Sequence, residues 1–263
     1  MGDHDYLLTN AVPEAATRFG ALSALFDAAT RRHLLARGLG PGCRCWEAGA
    51  GGPTLIRWMA EQVGATGSVL ATDLDPVWAS AAMAPNLTVS RHDLATEASP
   101  AGPFDLIHAR LVLTHVPARD AVIAAMVAVL APGGWLVIED ADPALQPLAC
   151  LDPDQPGAAL ANGLRMGCRA LLLARGAELA LGRTLPRRFR DAGLQQVGAE
   201  AAFALAHPMA VQLEIATIEM LQGQLVEKGH ATIEEINTHL ATLARGELEI
   251  VLSPMVSCWG NKV

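Results

Sequence analysis

No stretch of this 263-residue chain reaches about eighteen apolar residues without a polar interruption, although 51% of its residues are hydrophobic, so the sequence offers no transmembrane span. A secretory start is missing as well: Met1-Gly2-Asp3-His4-Asp5 is acidic, with no basic segment leading into an apolar run. A cytoplasmic protein is expected. Positive charge is scarce, with 19 Lys and Arg against 27 Asp and Glu and a net charge of −8. The cations are too scattered to follow a phosphate backbone, which argues against nucleic acid as a partner. Five cysteines, at 43, 45, 150, 168 and 258, form no C-x-x-C pair and are odd in number, so neither a disulfide framework nor a thiolate metal site is implied. Cys43 and Cys45 read as small apolar residues on a first strand and its approach. Linkers and low-complexity tracts are also lacking, and one domain over 1–263 is expected.

What the chain does have is concentrated in two segments. Arg44-Cys45-Trp46-Glu47-Ala48-Gly49-Ala50-Gly51-Gly52-Pro53-Thr54 reads as a short apolar strand, a glycine turn and a helix start, and Val69-Leu70-Ala71-Thr72-Asp73-Leu74-Asp75-Pro76 as the next strand, ending in a carboxylate. Glycines at 49 and 51 allow a tight turn with room for a ligand above it. Asp73 follows the glycines by about twenty residues, where a βαβ unit sets an acid against paired ribose hydroxyls. The ligand should therefore contain a nucleoside. A dinucleotide is disfavoured, because the third glycine of G-x-G-x-x-G is replaced by Thr54. Glu47, two residues ahead of Gly49, would repel a diphosphate but suits a cationic or amino-bearing ligand.

The pattern E-x-G-x-G followed by D-x-D resembles the S-adenosylmethionine site of class I methyltransferases. The resemblance continues through Leu87 to Asp93, similar to the family's third strand, whose terminal acid holds the adenine amino group. It extends to Phe104 to Arg110 as the fourth strand, the Leu113-Thr114-His115-Val116 loop common in small-molecule members, and Leu130-Ala131-Pro132-Gly133-Gly134 leading into the fifth strand. It implies S-adenosyl-L-methionine as cofactor, held by Tyr6, Glu47, Gly49, Ala50, Gly51, Asp73, Leu74, Asp93, Leu94 and Arg110, and it implies no metal. One departure is Pro53, where the family often has a third glycine. Proline is tolerated at the first helical position, so Pro53 is expected to open the helix.

Alternating patterns predict an α/β fold: a Rossmann-like seven-stranded methyltransferase sheet, last strand antiparallel, with a helical N-terminal and insertion lid. Residues 1–40 form a helical cap with a helix at about 13–38, residues 41–142 the cofactor-binding half, and residues 143–263 the substrate-side helices and strands six and seven. Strands are expected near 44–48, 68–73, 87–92, 104–109, 134–140, 196–206 and 251–259, and helices near 53–63, 76–83, 118–130, 157–181 and 183–192. Two connections, Pro143 to Leu194 and Pro208 to Glu249, exceed what a sheet needs. They either roof the ligand crevice or serve as structural filling or the surface of a homodimer, and both readings stay open. Met166, Met209, Met220 and Met255 read as ordinary core or as part of an adaptable apolar pocket.

Methyl transfer from a sulfonium needs in-line placement and, for some acceptors, removal of one proton. His92, His108 and His115 lie near the ends of strands three and four. His115, in the loop facing the substrate, is the candidate base, with a near-neutral pKa expected; its alternative is a structural histidine. Tyr6, the only tyrosine, either reaches over the cofactor from an N-terminal segment or anchors the first helix. Arg110 either holds the cofactor carboxylate or orients the substrate, or else pairs with a nearby acid such as Asp93 or Glu139. At least two of Glu139, Asp140 and Asp142 are expected on a solvated rim, the alternative being a carboxylate that steadies a cationic or amine substrate, and Arg187-Arg188-Phe189-Arg190 on a solvated helix face, the alternative being a site for an acidic substrate. The expected acceptor is a largely apolar small molecule, as in the quinone-biosynthesis and natural-product branch that the chain resembles. Alternatives are a non-methylating reaction such as cyclisation on the same fold, and a cofactor-binding regulatory subunit.

Overall fold

The computed structural model describes residues 14–263. Strands β1 (Arg44–Ala48), β2 (Ser68–Asp73), β3 (Leu87–Arg91), β4 (Phe104–Arg110), β5 (Leu130–Ala141), β6 (Gln195–Ala202) and β7 (Met255–Asn261) form one sheet in the order β3-β2-β1-β4-β5-β7-β6. The pairs β1/β2, β2/β3, β1/β4 and β4/β5 are parallel, while β7 runs antiparallel to both β5 and β6. The chain winds outward from β1 to β3 and then returns to the other side of β1. That reversal leaves a crevice beyond the carboxyl ends of β1 and β4, where ligands of open α/β sheets bind.

Helices cover both faces, so the central strands can be apolar along their whole length. On one face Trp46, Phe104 and Ile107 pack with Val122, Ile123 and Met126 of α3 (Arg119–Ala128) and with Leu185 and Phe189 of α5 (Leu181–Asp191). On the other, Cys45, Val69, Leu106 and Val137 meet Leu34 of α1 (Glu14–Ala36) and Leu55, Met59 and Val63 of α2 (Pro53–Val63). Burial pushes the Cys45 thiol well up, consistent with a neutral core residue. A separate cluster joins α4 (Ala158–Ala174), α6 (Pro208–Glu227) and α7 (Ile233–Ala244) through Leu164, Leu171, Ile218, Leu221 and Ile236.

Several boundaries differ from the sequence expectation. The helix expected at 76–83 is a single 3-10 turn, Ala79–Ala81. The helix expected at 157–181 ends at Ala174, where Gly176 takes φ 80° and closes it. The helix expected at 118–130 stops at Ala128, and Leu130 instead pairs with Phe104 at the start of β5. Strand six ends at Ala202, and strand seven begins only after Pro254.

The acids after strand five are a larger correction. Glu139, Asp140 and Asp142 are all buried, since each finds a polar partner in the fold. Asp142 pairs with Arg183 at 2.9 Å. Asp140 accepts from the Thr114 backbone at 3.0 Å and the Thr114 hydroxyl at 2.7 Å, yet burial raises it to about 6. Glu139 accepts from Thr30 of α1 and, at 2.7 Å, from Ser257 of β7. His108 of β4, also buried, donates from Nδ1 to Glu47 at 2.6 Å and sets Nε2 3.4 Å from Glu139. Burial alone would lower this histidine, but the two carboxylates outweigh it and raise His108 to about 9.

A pH signature follows. The stability that His108 contributes is complete below its unfolded value of 6.5 and is lost as pH rises through about 9. In His108→Leu the two carboxyls lose their cation, take up protons when folded, and stability should instead decline from near their unfolded value of 4.5 upward. Urea unfolding across pH 5–9 should show the variant's decline beginning at lower pH, on top of a loss of about 3–5 kcal/mol at pH 6. Parallel pH profiles in parent and variant would overturn this account.

Candidate functional site

A cavity of about 1090 Å³ opens at the carboxyl ends of the parallel strands. Its floor is the turn between β1 and α2. The amides of Gly49 and Ala50 donate to Thr72 O at 2.7 and 2.9 Å, tying the end of β1 to β2. Gly51 N donates to Asp73 Oδ2 at 2.8 Å, and Asp75 N to Asp73 Oδ1 at 3.0 Å. Burial raises the Asp73 pKa while these bonds oppose it. Each carboxylate oxygen still has a lone pair for a further donor. Gly49 and Gly51 take φ of 79° and 57°, the left-handed region where a side chain is strained. A Cβ at Gly49 would stand 2.1 Å from Val112 Cγ2, and one at Gly51 2.7 Å from the Phe19 ring of α1. The space above the glycines is thus shared between the cavity and two protein side chains. Pro53 opens α2 with Gly52 as N-cap, as its sequence position predicts.

Nine of the ten residues expected to hold the cofactor line this cavity: Glu47, Gly49, Ala50, Gly51, Asp73, Leu74, Asp93, Leu94 and Arg110. Tyr6 lies outside the described residues. Asp93 follows β3 and accepts from Ala95 N and Thr96 Oγ1, both at 2.8 Å. Glu47 is buried and steadied by His108; burial raises its pKa and the histidine opposes the rise. Arg110 pairs with neither Asp93 nor Glu139. It reaches α1 instead, bonding Asp27 and Thr30 at 2.9 Å each. Asp27 also accepts from Thr54 at 3.1 Å, so β4, α1 and α2 meet at one carboxylate.

The three histidines separate clearly. His108 is enclosed within the sheet, and His92 reaches the cavity wall with Nε2 held by Ala98 O at 2.9 Å. His115 lines the cavity from a 3-10 turn, Leu113–His115. Its pKa is not near neutral: burial, with the charges of Arg18 and Arg119, lowers it to about 4. The imidazole is therefore neutral at ordinary pH.

Sequence reasoning named no cavity residue on α1, yet Arg18, Phe19, Leu22 and Ser23 form part of the wall. The glycine at 51 was the available signal, since a turn that open needs something to close over it. Only one of the long connections reaches the cavity, through Leu172, Arg175 and Ala177 near the end of α4. Helices α6 and α7 pack on α1 and α4 without lining it, so they support the roof. None of the four methionines lines the cavity, and Met166 is exposed. The arginine cluster on α5 is not a plain solvated face either: Phe189 is fully buried, and Arg188 pairs with Asp120. Among the described residues no group of three or more His, Cys, Asp or Glu could hold a metal ion, and no helix is long and apolar enough to cross a membrane.

Comparison with known proteins agrees with this arrangement. Methyltransferase str2 of Strobilurus tenacellus is 37% identical over 112 residues, which is 42% of this chain and 37% of that protein. Methyltransferase str3 of the same organism is 44% identical over 43 residues, 16% of each chain. The matched region thus spans well under half the length of these curated relatives. Among solved structures, Haemonchus contortus phosphoethanolamine N-methyltransferase 2 in complex with S-adenosyl-L-methionine superposes with a TM-score of 0.61 at 13% identity, covering 100% of this chain and 60% of that one. The YcgJ protein of Bacillus subtilis does so at 0.55 and 15%, covering 90% and 98%. Identities this low establish the shared fold alone. A family model described as a methyltransferase domain matches residues 18–198, and the chain belongs to that family.

Proposed function

We propose that the protein transfers a methyl group from S-adenosyl-L-methionine to a small-molecule acceptor with an apolar body, of the kind handled by natural-product and quinone-biosynthesis methyltransferases. The observation that carries the reading is the cradle of Gly49 to Gly51 with the Asp73 carboxylate bonded to the turn and facing the cavity. The donor set suits this cofactor. Asp73 retains acceptor capacity for two ribose hydroxyls, and Asp93, with Leu74 and Leu94 beside it, suits an adenine. Glu47 offers a carboxylate for an amino group. When bound, the cofactor supplies an activated methyl group on a sulfonium.

The chain's own contribution is placement and exclusion of water. Phe19 and Val112 close over the turn, and Arg110 holds α1 in position by pairing with Asp27. His115 serves as a neutral polar group facing the acceptor. With a pKa near 4 it is a hydrogen-bond acceptor first, and a base only for an acceptor whose proton becomes acidic as the methyl arrives. The −8 charge and a concave cavity in place of a basic groove support a small-molecule acceptor over a nucleic acid.

Three outcomes test the reading. Asp73→Ala should weaken S-adenosylhomocysteine binding by about 1–3 kcal/mol in calorimetric titration, because charged hydrogen bonds to the ribose and to Gly51 are lost together; parent-like affinity would overturn the assignment. Gly51→Val should abolish binding through strain and collision with Phe19, whereas Pro53→Gly should leave it nearly unchanged. Loss of binding in both would contradict this account of the turn. For His115, the turnover profile of the parent should show no acid limb near pH 6.5, any limb from this group lying near 4. His115→Ala should lower turnover by at least about tenfold with unchanged cofactor affinity. A limb near 6.5 that vanishes in the variant would show that the imidazole titrates as an ordinary base.

A further inference from the structure

The carboxylates that line the cavity all lie on one side, where the cation of the same rim, Arg91, is paired with Glu97 at 2.8 Å. Glu47, Asp73, Asp75 and Asp93 all come from the ends of β1, β2 and β3 or the loops directly after them. The opposite side, built by α1, the turn after β4 and the end of α4, contributes Arg18, Arg110, His115 and Arg175. Arg110 is neutralised there by Asp27 at 2.9 Å. Arg18 is not. Its side chain belongs to a residue only 8% exposed, it lines the cavity, and among the described residues it makes no ion pair and no side-chain hydrogen bond.

A guanidinium on a cavity wall with no counter-charge among the described residues is a ready partner for an anion, because a ligand that fills the cavity would remove its water and supply the missing charge. His115, which lines the same cavity, cannot compensate, being neutral and itself depressed by burial and by the Arg18 charge. Arg119 adds a second positive charge near His115, its Nε and one terminal nitrogen donating to the carbonyls of Leu113 and Gly176. The wall beside Arg18 is stitched together by Glu178 N donating to Thr114 O at 3.0 Å, which brings the segment after α4, with Arg175, against the His115 turn. A planar fork of donors that no acid among the described residues meets is suited to bidentate recognition of a carboxylate or phosphate.

We propose that Arg18 is a binding residue for the acceptor, and that the acceptor is an organic anion whose acidic group docks on Arg18 beside His115 while its apolar body lies against Leu22, Val116 and Leu172. This rests on the methyl-transfer reading above and narrows its substrate class. The cavity volume of about 1090 Å³ exceeds the usual range for a single small ligand, leaving room for an acceptor next to the cofactor. The anionic group sets the acceptor's orientation, so that the atom to be methylated is fixed by its distance from the acid.

The test uses the full-length protein saturated with S-adenosylhomocysteine and two probes of equal shape, 2-naphthoate and 2-naphthamide, titrated by calorimetry. Naphthoate should bind the parent at least about tenfold tighter than the amide, a charge-assisted bidentate contact being worth that much, and Arg18→Gln should bring the two within about twofold. Equal binding of both probes by the parent, or binding of neither, overturns the proposal without any variant. A naphthoate preference that survives in Arg18→Gln overturns it as well. S-adenosylhomocysteine and methylthioadenosine, which lacks the amino-acid part, are titrated separately. If Arg18→Gln weakens the first about tenfold and not the second, Arg18 serves the cofactor's carboxylate and the proposal falls. If the parent binds neither nucleoside, the methyl-transfer reading fails, and with it the assignment of the anion as an acceptor.

Discussion

Glu139 is the carboxylate on which the sheet, the roofing helix and the site all depend. It sits on β5 in the middle of the sheet, where a charged group can remain only if every lone pair is answered. Thr30 answers from α1, Ser257 from β7 and His108 from β4. The other ring nitrogen of His108 then fixes Glu47 on β1, at the cavity wall. Burial raises a lone carboxyl, but here the histidine and the two hydroxyls outweigh burial and hold Glu139 well below its usual range. A position at the crevice is therefore set by a chain of buried charges that begins two strands away.

The same chain explains how α1 is held. A helix packed only by apolar contacts can slide along a sheet, since such contacts are non-directional. Here Thr30 binds Glu139, Asp27 binds Arg110, and Ser23 meets Thr54 at 2.7 Å. These are three directional ties, one each to β5, β4 and α2. They hold Phe19 at the place where Gly51 has no side chain, and Arg18 at the cavity wall. Helix α6 backs α1 from outside the cavity, so the long second connection acts at one remove.

What was legible in the sequence is what the backbone itself demands. Glycines at 49 and 51 mark positive φ, Pro53 a helix start, and Asp73 the end of a strand, and none of these depends on knowing a distant partner. The parallel order followed from the alternation of patterns. The illegible features needed partners far along the chain: Glu139 and Ser257 are 118 residues apart, and Thr30 and Glu139 109. Without those partners, carboxylates after a strand read as solvated. The pKa of His115 was illegible for the same reason, because it is set by burial and by Arg18, 97 positions earlier and on another element. Helix 76–83 failed differently, since its apolar residues were read as periodic where Pro76 and Pro85 leave room for a single turn.

Charge also sharpens the expectation of an apolar acceptor. Composition reports averages, and a 51% hydrophobic chain with few charged residues invites an apolar ligand. A site is decided by the few groups that remain uncompensated inside it. On the acidic side the strand-end carboxylates are tied to backbone amides and hydroxyls, as Asp73 is to Gly51 and Asp93 to Thr96. On the other side Arg110 is balanced within the fold and Arg18 is left to the cavity. Pairing with Asp27 commits Arg110 to holding the roof in place, and on the proposal above that leaves Arg18 as the group to meet a ligand.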